Sequence, residues 1–204
     1  MVGHATSAGR APVSFAAVAR RIEPLAEQIC RQRTPRSNCD FRIFIDSRTG
    51  QPPNAYQTVD DQGRPEIGFT TALIAQAHNN DELAFVLGHE TAHHILGHIA
   101  KTRDTALAGA LLGGVLATLA GGSASTVDLA QNIGGTVGAR AYSKDFELEA
   151  DRLGTEIAYR AGYDPLDGAL FFTRIPDPGD QFLGTHPPNG ARIATVRQAM
   201  DDLR

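Results

Sequence analysis

Four of the seven histidines of this 204-residue chain crowd into ten positions, His89-Glu90-Thr91-Ala92-His93-His94-Ile95-Leu96-Gly97-His98. His89 and His93 are four apart. An α-helix gives that spacing a shared face, since positions i and i+4 are offset by about 40° and one turn. Two imidazoles placed so can hold one metal ion at roughly 2.0–2.1 Å. Glu90 lies near the same face and can reach a water at the metal without being a ligand. It can take that water's proton and later pass it to a leaving amine. The pattern His-Glu-x-x-His therefore asks for a helix, and supplies two ligands and a general base from one turn of it. The plainer alternative is a helix whose histidines are satisfied polar neighbours. A good capping signal at Asn80 or Asp81, followed by a helical run from Glu82 to about Lys101, favours the metal reading.

On that helix His94 is turned about 100° from His93 and His98 about 140°, so both read as structural or surface residues off the ligand face. An all-histidine ligand set would place its third histidine six residues after His93, where the chain has Ile99. A carboxylate is the better third ligand. The stretch Phe146-Glu147-Leu148-Glu149-Ala150-Asp151 offers one. Glu147 and Asp151 are again i and i+4, so one can ligate while the other orients a ligand histidine through its second ring nitrogen. Glu149, about 200° round from Glu147, should point elsewhere. Taken alone this stretch is an ordinary solvated acidic face; behind a His-Glu-x-x-His helix it becomes a ligand source.

The rest of the chain reads as α+β, mostly helical, with a small sheet of three strands beside the histidine helix. Phe15–Arg31 carries apolar residues at helical spacing (Phe15, Val18, Ile22, Leu25, Ile29). Phe41–Asp46, Ala55–Val59 and Glu66–Thr70 read as strands, and Thr71–Ala77 as a short helix. Ala106–Ala120 is rich in Gly, Ala and Leu. At about 15 residues it is short of the roughly 20 that span a bilayer, so it reads as one arm of a buried or membrane-touching helical hairpin, with packing as its simplest role. Helices are expected over Thr126–Gly138, Ser143–Gly162, Asp164 to about Arg174 and Gly190–Leu203, with a loop at Pro176–Pro188. A single domain over 13–204 behind a short flexible stretch, 1–12, accounts for this pattern.

With 42% hydrophobic and 21% charged residues, a packed core is available. The net charge of −4, with Lys and Arg scattered along the chain, argues against nucleic acid as a partner. The two cysteines, Cys30 and Cys39, flank a polar connector between a helix-like and a strand-like segment. They are either two reduced thiols or a short disulfide loop. The connector favours the disulfide, and with it an oxidising compartment. Met1–Pro12 lacks the apolar run of a signal peptide. Either the protein is cytosolic or the chain starts after a removed export signal; the cysteines tip the balance to the second, a periplasmic or cell-envelope setting.

Several motifs taken together carry a family resemblance. They are His89–His93 with His98, Glu147-x-Glu149-Ala150-Asp151-Arg152-x-Gly154, Asn54-Ala55-Tyr56, Asn80-Asp81-Glu82-Leu83, Gly162-Tyr163-Asp164-Pro165, and Thr185-His186-Pro187 with Arg192. Over residues 40–200 the chain resembles the gluzincin metallopeptidases that include the CAAX prenyl endopeptidases, the HtpX peptidases and the periplasmic BepA-type peptidases. The resemblance implies one Zn2+ held by His89, His93 and Glu147, with Glu90 as base and Asp151 behind a ligand. It implies proteolysis of protein or peptide substrates, with envelope quality control as the setting. It also brings His186 and Arg192 near the metal, either to stabilise the oxyanion or, for His186, to close the open coordination position; the plainer reading is a turn histidine and a helix-surface arginine. By fold analogy, Glu66–Thr70 or the segment at Asn54 and Ala55 offers a sheet edge to an extended substrate. The integral-membrane members carry long transmembrane helices that this chain lacks, so the soluble or peripheral branch fits and prenyl-protein processing does not.

Overall fold

The computed structural model describes residues 12–141, 143–177 and 186–204. The N-terminal stretch expected to be flexible falls almost wholly outside these residues, as do Thr185 and most of the loop Pro176–Pro188. Helix α1 (Phe15–Arg33) leads into strands β1 (Arg42–Asp46), β2 (Ala55–Val59) and β3 (Pro65–Thr70), then helices α2 (Thr71–Gln76) and α3 (Asn80–Ile95). Helices α4 (His98–Leu119) and α5 (Ala124–Ala141) form a hairpin, and α6 (Ser143–Arg160), α7 (Pro165–Gly168), a 3-10 turn (Ala169–Thr173) and α8 (Asn189–Asp202) complete the chain. The architecture is the expected mostly helical α+β one.

The core lies where α1, α3, α6 and the sheet meet. Helix α1 contributes Val18, Ile22, Ala26 and Ile29, β3 gives Ile67 and Phe69, α3 gives Leu83, Leu87 and Ile95, and α6 gives Leu153 and Ile157. The spacing along α1 is the i, i+4 stripe that a helix buries on one side. Cys30 and Cys39 are joined in a disulfide that ties the end of α1 to the approach to β1. His94 donates from Nε2 to the carbonyl of Asn38 at 2.7 Å, pinning this loop against α3.

The sheet order is β1-β3-β2, with β3 parallel to β1 and antiparallel to β2. Of the two segments expected to offer an edge, Glu66–Thr70 is therefore central, and its backbone is paired on both sides. The other segment, at Asn54 and Ala55, leads into β2, which with β1 forms the two edges of the sheet. At the start of the β2 edge, Asn54 has its N–H bonded to Thr70 Oγ1 at 2.9 Å and its carbonyl to the Thr70 N–H at 2.9 Å. Its main chain is already satisfied by the neighbouring strand.

Helices α3 and α6 touch backbone to backbone. A Cβ on Gly88 would sit 2.7 Å from the Gly154 carbonyl oxygen, and one on Gly154 would sit 2.7 Å from the His89 amide nitrogen. Any side chain at either position would force the helices apart. This contact lies beside His89 and within one turn of Asp151, so it sets the spacing between the histidine helix and the acidic one.

Several boundaries differ from the sequence reading. The N-cap of α3 is Asn79, whose side chain accepts from the Glu82 N–H at 2.8 Å, while Glu82 accepts from the His78 N–H. This exchange is a variant of the capping box. The helix does not run on to Lys101. It stops at Ile95, and Gly97, at φ 70°, turns the chain into α4. Asp164 to Arg174 is a short helix followed by a 3-10 turn rather than one helix.

The hairpin is present as expected, but of the two readings of Ala106–Ala120 the buried one is corrected, because most of this stretch is exposed. Its seam is made of small residues: Gly138 lies against Thr105, Gly134 against Gly109, and Gly113 against Ala130. Leu107, Leu111, Leu112, Leu116 and Leu119 of α4 and Leu129 and Ile133 of α5 are left exposed. Among the described residues no helix is long and apolar enough to cross a membrane.

Candidate metal centre

The glycine contact between α3 and α6 brings His89 and His93 face to face with Glu147. Their donor atoms form a tight triangle: Nε2 to Nε2 3.0 Å, His93 Nε2 to Glu147 Oε1 3.3 Å, and His89 Nε2 to Glu147 Oε2 3.5 Å. Ligand atoms around a tetrahedral ion with bonds of roughly 2.0–2.1 Å are about 3.3–3.4 Å apart, so the donor set and its spacing fit zinc. Among the described residues these three are the group able to hold a metal ion. Three protein ligands leave a fourth position, the pattern of a catalytic rather than a structural zinc site. The triangle lies in a cleft of about 980 Å³, also lined by Glu90, Asn54, Ala55, Tyr56 and Gln57.

Behind His89 stands Asp151, fully buried, its Oδ1 2.9 Å from His89 Nδ1. That bond places the ring proton on Nδ1 and turns the Nε2 lone pair towards the triangle. Arg192 of α8 grips the same carboxylate with Nε (2.8 Å) and Nη2 (2.6 Å), and its guanidinium lies 3.9 Å over the Phe172 ring. Arg192 is buried, not a helix-surface residue. The structure does bring it to the centre, but its donors face Asp151.

Electrostatics follow from this crowding. Burial and the Arg192 cation work against a second proton on His89, but the bonds to Asp151 and Glu147 outweigh them and raise its pKa to about 9 in the metal-free chain, so a metal bound at Nε2 would displace that proton. Burial likewise opposes ionisation of Glu147, yet the bonds from His186, His89 and His93 keep it well below the usual carboxylate range. His186, largely exposed, has its Nδ1 3.2 Å from Glu147 Oε2.

His98 lies off the ligand face, as its spacing predicts, and of its two readings the structural one holds. It is buried, and its Nδ1 lies 2.8 Å from His93 Nδ1, on the side of that ring away from the triangle. Its Nε2 lies 3.2 Å from Glu149 Oε2, so Glu149 points away from the triangle, as expected, and meets the far side of His98. Phe146 stacks on the His98 ring at 4.6 Å and 16°. Burial and the adjacent His93 push His98 down to about 4. Counting angles along one continuous helix puts His98 off the ligand face but misses its contact with His93. The available signal was Gly97, a helix-ending glycine in front of it.

Comparison with known proteins agrees with this geometry. The model of peptidase family M48 matches residues 12–200. The beta-barrel assembly-enhancing protease of Escherichia coli is 29% identical over 151 residues, covering 66% of this chain and 30% of that protein. The mitochondrial metalloendopeptidase OMA1 of Saccharomyces cerevisiae is 34% identical over 141 residues, 64% of this chain and 40% of the relative. The OMA1 of Arabidopsis thaliana is 29% identical over 138 residues, 66% of this chain and 27% of its own. The chain thus spans only about a third of the length of these relatives. A match over nearly all its residues, with the donor triangle described above, places this chain in peptidase family M48.

Proposed function

We propose that the chain is a zinc-dependent endopeptidase, with His89, His93 and Glu147 as ligands and Glu90 as general base. The observation that carries this reading is the donor triangle opening into a cleft that Glu90 also lines. Zinc bound there would supply Lewis-acid chemistry, polarising the scissile carbonyl and acidifying water. Glu90 takes the proton from the attacking water and delivers it to the leaving amine nitrogen. Asp151, locked by Arg192, keeps His89 in the tautomer that presents Nε2. Arg192 is accordingly a positioning residue, not a donor to the oxyanion. The extended substrate lies along the outer edge of β2; because the Asn54 backbone is engaged by Thr70, pairing falls to Ala55–Gln57.

The disulfide favours an oxidising compartment, and with the similarity to a beta-barrel assembly-enhancing protease it supports a cell-envelope setting and work on misassembled proteins. The outward leucines of the hairpin support peripheral contact with a membrane, which co-flotation with phospholipid vesicles checks.

Zinc content and casein cleavage, compared across wild type, Glu90→Gln and His186→Ala, test the centre. Glu90→Gln should keep its zinc and lose cleavage by about 10²-fold or more. Equal, negligible cleavage in zinc-loaded wild type and Glu90→Gln would instead mean a zinc-stabilised binding module. For His186→Ala, slower turnover means the histidine assists the oxyanion, faster turnover means it covers the site, and no change in activity or zinc access removes it from both roles.

A further inference from the structure

The two ligand histidines are braced from behind by different devices. His89 meets a carboxylate directly, Asp151 Oδ1 at 2.9 Å from Nδ1. His93 meets another imidazole, His98, and only beyond it a carboxylate, Glu149. The order of protons along this second chain can be worked out from what each group can do. Two imidazole nitrogens 2.8 Å apart share one hydrogen, so one donates and the other accepts. The Glu149 carboxylate can only accept, so His98 carries its hydrogen on Nε2. A neutral imidazole holds one N–H, which leaves His98 Nδ1 as the acceptor and makes His93 Nδ1 the donor. His93 then presents a bare Nε2 to His89 and Glu147. The opposite order would put an N–H into the triangle and spoil the ligand set.

We propose that His98, held by Glu149, is a positioning residue of the metal centre, which fixes the tautomer and rotation of His93 as Asp151 fixes those of His89. The inference rests on the zinc reading of the triangle. The placement of His98 supports it further. Gly97, at φ 70°, ends α3 and lets His98 start a new helix, so its ring returns to His93 from outside the first helix. Phe146, beside Glu147 on α6, stacks on the His98 ring and fixes its plane. The brace therefore links both helices that carry ligands.

The test measures zinc affinity of the full chain by competition with a chromophoric chelator, and the visible absorption of the cobalt-loaded protein. His98→Leu keeps apolar bulk but no acceptor; it should weaken zinc binding about 10–100-fold and change the cobalt bands. His98→Asn places an amide oxygen near the lost Nδ1 and should stay within ~3-fold of wild type. Glu149→Leu, at a half-exposed position, should weaken zinc in the same direction by a smaller factor. It also guards against a His98→Leu chain that fails to fold. Wild-type affinity in His98→Leu would overturn the proposal. So would equal losses in His98→Asn and His98→Leu with Glu149→Leu unchanged, because packing alone would then explain them. A wild-type chain that takes up no zinc would sink the zinc reading itself, a result distinct from either.

Discussion

At the scale of single residues, the buried Asp151–Arg192 pair is where stability and chemistry meet. Asp151 is fully buried, and the guanidinium that binds it is nearly so. Removing one partner of such a pair strands the other charge without water. Asp151→Ala should therefore cost about 3–5 kcal/mol in urea unfolding and weaken zinc binding as well. A loss below about 1 kcal/mol would mean that Arg192 finds another partner. The pair His89/His93 and the candidates Glu147 and Asp151 were legible because each needs only i, i+4 counting on one helix. Arg192 was legible as a neighbour of the site but not in its partner, since the approach of α8 to α6 is set by tertiary packing. The contact of His98 with His93 was not legible, because angular counting presumes a helix that Gly97 in fact interrupts.

Among elements, the crossing of α3 and α6 decides whether four side chains form one centre. With the Gly154 Cα this close to α3, Gly154→Ala must push α6 outwards. About 1–3 kcal/mol of destabilisation is expected from such overpacking, with looser zinc binding because Glu147 rides on the same helix. Thermal unfolding of the metal-free and zinc-loaded chains checks both parts, and an unchanged difference between the two would refute the second. Element types read well from the pattern: β2 fell where it was expected, and β1, β3 and α6 within two residues at each end. Sheet order did not, since nothing local says that the last strand inserts between the first two.

For the molecule as a whole, the α4–α5 hairpin inverts the usual arrangement, with glycines in the seam and leucines outside. The apolar character of 106–120 was legible but not this sidedness, because glycine, alanine and leucine alternate there with no polar face to mark the outside. The contact between Thr105 and Gly138 at its base has a further consequence. The chain leaves the metal centre at α4 and comes back to almost the same point before α6, so the distal hairpin is a closed detour, a cassette between two fixed posts. Antiparallel helices can be joined by loops of about 2–5 residues. Replacing 106–137 with a few glycines should therefore leave a chain that still folds and binds zinc with wild-type affinity, while losing any association with vesicles. Loss of zinc binding in that chain would show that the detour, and not only its base, supports the centre. Lengthening, shortening or exchanging the cassette would then be a way to re-address the same catalytic unit to different surroundings.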